Sequence, residues 1–82
     1  MKKYYITKKA QNGITVFYAN FNFLKNKKFS SSIDTAYFFR SQEDAQNVVD
    51  QLGYGEVVES EAARLLAIDN VNLAIQSHIY AL

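Results

Sequence analysis

Carboxylates, lysines and one imidazole are the groups in this chain with chemical potential, and their spacing decides what they could do. His78 is the only histidine among 82 residues, and there is no cysteine. A lone imidazole cannot build a multi-histidine metal site. Without thiols the chain also lacks disulfides, iron–sulfur clusters, Cys-ligated zinc and thiolate catalysis. A Ser–His relay would need partners that no motif marks. Glu56 and Glu59 invite comparison with a paired acid–base site. Three residues apart on a strand, however, they point to opposite faces, which spoils that chemistry. Gly53-Tyr54-Gly55 has no following Lys-Ser/Thr and reads as a turn, not a phosphate loop. The sequence therefore implies no cofactor and no metal, and a non-enzymatic protein is expected.

Charge is the most informative feature. Residues 1–29 hold all seven lysines and no acid, whereas residues 30–82 hold both arginines and all eight acids, so a formal net charge of +1 conceals a dipolar sequence. Two binding readings follow. Glu43, Asp44, Asp50, Glu56, Glu59 and Glu61 could form an acidic face that mimics phosphate and docks on the basic groove of a nucleic-acid-binding protein. Alternatively, Lys8, Lys9, Lys25, Lys27 and Lys28 could contact phosphates directly while nearby tyrosines and phenylalanines stack on bases. Against each stands ordinary solvation: acids favoured at helix N-termini, and lysines guarding strand edges.

The elements that must position these groups are legible from periodicity. Lys3–Thr7 and Ile14–Tyr18 are rich in β-branched and aromatic residues and flank Asn12-Gly13, which predicts a hairpin closed by a type I′ turn. Alternation through Phe21 and Phe23 extends the second strand, and Lys25–Lys28 with Ser30–Ser32 reads as a loop. Thr35–Phe39 is expected as a third, central strand. Ser41 followed by Asp44 marks a helix start, Ala45, Val48, Val49 and Leu52 form its apolar stripe, and Gly53 its left-handed end. Gly55–Glu59 follows as a fourth strand, expected parallel to the third through a right-handed crossover. A second helix begins at Ser60, with a break near Asp69-Asn70 considered. The order ββ(β)αβα predicts an α+β fold in one domain, residues 1–82. It is a small antiparallel or mixed sheet covered on one face by two helices.

Twelve aromatic rings exceed what such a sheet would cover, so some are expected at the surface as anchors for a partner. The C-terminal helix carries a second apolar seam through Ile68, Ile75, Ile79 and Leu82. That seam belongs either to the core or to a homodimer interface across a two-fold axis. No run is long and apolar enough for a membrane span and no signal-peptide core follows Met1-Lys2-Lys3, which places the expected address in the cytoplasm.

The stretch Ala36-Tyr37-Phe38-Phe39-Arg40-Ser41-Gln42-Glu43-Asp44-Ala45 through Val49-Asp50-Gln51-Leu52-Gly53, leading into Glu56-Val57-Val58, resembles small orphan proteins of bacteriophages and mobile elements of low-GC Gram-positive bacteria. The Lys/Asn/Tyr/Ile-rich usage points the same way. The resemblance implies stoichiometric binding to a host protein, including inhibition of defence nucleases such as CRISPR effectors, inside the host cytoplasm. It transfers no functional residue. A nucleic-acid-binding module and a homo-oligomeric structural protein are the competing expectations.

Overall fold

The computed structural model describes residues 2–19 and 29–80, with the backbone alone for residues 74–80. Strand β1 (Tyr4–Lys9) pairs antiparallel with β2 (Thr15–Tyr18) on one side and with β4 (Glu56–Glu59) on the other, and β3 (Phe29–Ser30) joins the far side of β2. The sheet order is β3-β2-β1-β4. Two helices, α1 (Gln42–Leu52) and α2 (Ser60–Tyr80), complete the expected α+β fold.

The hairpin forms, but its turn differs from expectation. Gly13 N–H donates to the Ala10 carbonyl at 3.0 Å and Ala10 N–H to the Ile14 carbonyl at 2.8 Å, while Gly13 alone among the hairpin's residues is a positive-φ glycine, at 84°. This is a three-residue loop, a turn over Gln11 and Asn12 followed by a left-handed glycine. The Asn12 side chain accepts from Ile14 N–H at 3.1 Å instead of occupying a type I′ position.

Thr35–Phe39 is not a strand. Ile33–Thr35 makes a single 3-10 turn, held by Ser30 and Thr35 hydroxyls at 2.9 Å and by Thr35 donating to the Ser32 carbonyl. Such local side-chain bonds compete with ladder pairing. The extended residues that follow touch the sheet through a reciprocal Tyr4–Phe39 backbone pair, both bonds 2.8 Å, and through Tyr37 N–H to the Tyr18 carbonyl. With no true third strand there, the expected parallel partnership is replaced. β4 crosses to the free edge of β1 and lies antiparallel to it. The third strand instead comprises Phe29 and Ser30, inside the segment read as a loop.

Each helix is dictated by its own apolar positions. Ser41 Oγ accepts from Asp44 N–H at 3.3 Å, Glu43 and Asp44 occupy the first turn, and Gly53 closes α1 at φ 82°. Ala45, Val48 and Val49 pack with Ile6, Phe39, Tyr4, Tyr18, Phe29 and Val57. On β1, Ile6 and Thr7 point to opposite faces. The second face carries buried Thr7, Thr15 and Phe17, and there α2 lies, with Leu66 beside Thr7 and Thr15. The helices thus take one face of the sheet each.

Helix α2 runs unbroken through Asp69-Asn70. Asn70 bonds outward instead, accepting from Thr15 N–H at 2.8 Å and donating to the Thr15 carbonyl at 2.7 Å. Its buried side is Ala63 with the half-buried Leu66, Ala67 and Asn70. Of the seam read from sequence, Ile68 lies on the outside, 55% exposed, between Leu65 at 64% and Val71 at 58%; the side chains of Ile75 and Ile79, and Leu82, lie outside the described residues.

Candidate partner-binding surface

The segment Ala36–Arg40 is built by alternation. Phe39 turns inward and is buried, stacking on Tyr18 at 6.2 Å, and Tyr37 packs edge-on against it at 4.9 Å. Phe38 points the other way, and both Tyr37 (48%) and Phe38 (39%) remain exposed. The first turn of α1 follows immediately and brings Asp44 alongside. Ala36, Tyr37, Phe38, Phe39, Arg40 and Asp44 line an open cleft of about 450 Å³. Lys3 Nζ lies 4.6 Å from the centre of the Phe38 ring, so this ring already receives a cation.

The acidic set is only partly gathered. Glu43 and Asp50 sit two turns apart on one side of α1, where Asp50 accepts from Gln46 Nε2 at 3.1 Å. Asp44 lies in the same first turn as Glu43. Glu56 and Glu59 occupy the edge strand β4 and point to opposite faces, and Glu61 lies in the first turn of α2. Glu59 meets Lys2 at 3.6 Å, with both side chains well exposed. The fold therefore brings Glu43, Asp44 and Asp50 together on α1 and leaves Glu56 and Glu59 on the sheet edge and Glu61 at the start of α2.

The basic set is less coherent. Lys8 and Lys9 are successive on β1 and project to opposite faces. Lys8 Nζ lies 4.6 Å from the Phe29 ring centre and 4.8 Å from that of Tyr54, whereas Lys9 lines a groove with Thr15, Asp69 and Asn70. Lys25, Lys27 and Lys28 lie outside the described residues. In the third set Ile68 is exposed on α2. The side chains of Ile75 and Ile79, like that of His78, lie outside the described residues, as does Leu82.

Among the described residues no group of three or more His, Asp or Glu is arranged to hold a metal ion. Among them, too, no helix is long and apolar enough to cross a membrane. Among the described residues Tyr18 is shifted: its phenol is raised above the ordinary 10.0 by burial first and by neighbouring Tyr37 second. Two contributors escaped the reading of the sequence. The exposed aromatic segment looked like a central strand because all its residues are apolar, and Asn70 looked like a helix break. The clue to Asn70 was its place on the Ala63–Leu66–Ala67 stripe.

No family model matches this chain, and neither a curated protein nor a solved structure does.

Proposed function

We propose that the chain is a non-enzymatic binding module that docks on a cationic surface of another protein through the cleft of Tyr37, Phe38 and Asp44. The observation that carries this is the juxtaposition of two exposed rings with a helix-N-terminal carboxylate, one ring already covered by a lysine ammonium. A guanidinium stacks on an aromatic face and pairs with a carboxylate in the same step, so arginine-rich surfaces are the natural occupant. Glu43 and Asp50 add carboxylates along α1, offsetting Arg40 in the cleft and Lys3 over Phe38. Nucleic-acid-processing proteins present such surfaces, and stoichiometric occupation of one would block its substrate. This supports the role of a phage or mobile-element inhibitor of a host defence protein, a CRISPR effector among them, acting in the host cytoplasm.

The test is a titration with an arginine-rich peptide followed by tyrosine fluorescence. Tyr37→Ala combined with Asp44→Asn should weaken binding roughly tenfold, from one exposed ion pair and one cation–π contact. Equal affinity for variant and wild type would contradict the assignment.

A second reading has its own observation: Lys8 sits beside exposed Tyr54, a pairing suited to a single-stranded nucleic acid. It expects salt-sensitive binding that drops when Lys8, Lys9, Lys25, Lys27 and Lys28 become Ala, the salt slope shrinking by about 0.7 per lost phosphate contact. Absence of binding at low salt would remove it.

A further inference from the structure

Helix α2 is apolar on two sides. The sheet takes one, and the other is left with Leu65, Ile68 and Val71 more than half exposed along a 21-residue helix about 30 Å long. A helix apolar all round is normally enclosed. We propose that the outer face of α2 pairs with α2 of a second copy, as a parallel two-stranded coiled coil in which Arg64 of each chain meets Asp69 of the other.

The register follows from positions. Leu65, Ile68 and Asn72 stand at i, i+3 and i+7, the a, d and next a of a heptad; Leu65 and Ile68 lie opposite Ala63, Leu66, Ala67 and Asn70, and the exposed Asn72 also borders the groove of Lys9 and Thr15. In the sequence Ile75 and Ile79 continue this spacing. Arg64 and Asp69, both exposed, then take the g position and the following e position, five residues apart. A parallel dimer joins g to the e′ five residues later, so the two-fold axis supplies Arg64–Asp69′ and Asp69–Arg64′ together. An antiparallel pair would set g against g′ and e against e′ and lose both.

Asn72 makes the same choice. In a parallel dimer the two Asn72 amides meet at facing a positions and bond to each other; in an antiparallel one each would face an apolar d residue. Leu at a followed by Ile at d leans by itself toward four strands, and a polar Asn at a holds the count at two. The sheet lies on the far side of each helix from Leu65 and Ile68, which leaves both free to meet a second copy. Packing on the sheet also forms the helix in advance, which lowers the cost of pairing. The inference stands whether or not the aromatic cleft binds a cationic partner.

The experiment is light-scattering mass of the whole chain against concentration, with charge-swapped variants. Wild type should reach twice the 9.4 kDa chain mass. Arg64→Asp and Asp69→Arg should each dimerise roughly tenfold more weakly, because each places like charges opposite one another. Mixed in equal amounts they should recover the wild-type association as a heterodimer. Ile68→Glu, at an exposed position, should give a monomer with an unchanged helical circular dichroism spectrum. Three results would overturn the proposal: one chain mass at every soluble concentration, a four-chain mass, or swapped variants that associate as well alone as when mixed.

Discussion

Asn70 shows at the level of one residue how a polar group in an apolar stripe can stabilise the fold. Its amide closes both hydrogen bonds with the Thr15 backbone, at 2.7 and 2.8 Å, tying α2 to the hairpin. Asn70→Leu would leave a half-buried N–H and C=O unpaired, and chemical denaturation should show a loss of about 1–3 kcal/mol. Ile6, fully buried between β1 and α1, is the centre of the other face, and Ile6→Ala should cost about 2–5 kcal/mol by the same measurement. Tyr18 gives a pH-dependent test. Its phenol is held above 10.0 by burial and by Tyr37, so the folded state prefers the neutral form. That preference costs nothing below the ordinary tyrosine range and removes stability as pH rises through and beyond it. Tyr18→Phe should therefore flatten the alkaline fall in stability.

Among the elements, α1 is specified by its ends. Ser41→Ala should lose about 1 kcal/mol with the cap, and Gly53→Ala a similar amount because φ 82° is strained for any residue with a Cβ. Thermal melts of the two variants check both. These punctuation residues are why α1 was legible in full from sequence, as was the hairpin from its flanking strands. The segment Thr35–Phe39 was not legible, since an apolar run carries no period that separates a central strand from an anchored surface segment. What decides it is the competing hydrogen bonding of Ser30, Ser32 and Thr35, a local effect that hydrophobic patterning does not register. For α2 the sequence shows an apolar helix but not which side meets the sheet. The small residues Ala63 and Ala67, which allow close approach, turn out to face inward, and the larger Leu65 and Ile68 face solvent.

Across the whole molecule the fold rearranges the charge that the sequence segregates. β1 carries four lysines at or beside its ends and runs next to β4, which carries Glu56 and Glu59, so opposite charges become neighbours across the strand pair. The Lys2–Glu59 pair at 3.6 Å is one result, and its exposure means that Lys2→Ala should change stability by no more than about 1 kcal/mol. Among the described residues the concentration of carboxylates that survives folding is the α1 flank beside the exposed aromatic segment, which could not be read from spacing because Tyr37 and Phe38 were expected indoors. Docking through that surface is the role proposed for the chain. Its most direct test is retrieval of partners by the tagged chain from nuclease-treated lysate of a Gram-positive host, with the Tyr37→Ala, Asp44→Asn variant run alongside. The expected result is a protein that survives nuclease treatment and is lost with the variant. Retrieval of nucleic acid alone, abolished by nuclease and indifferent to the variant, would contradict it.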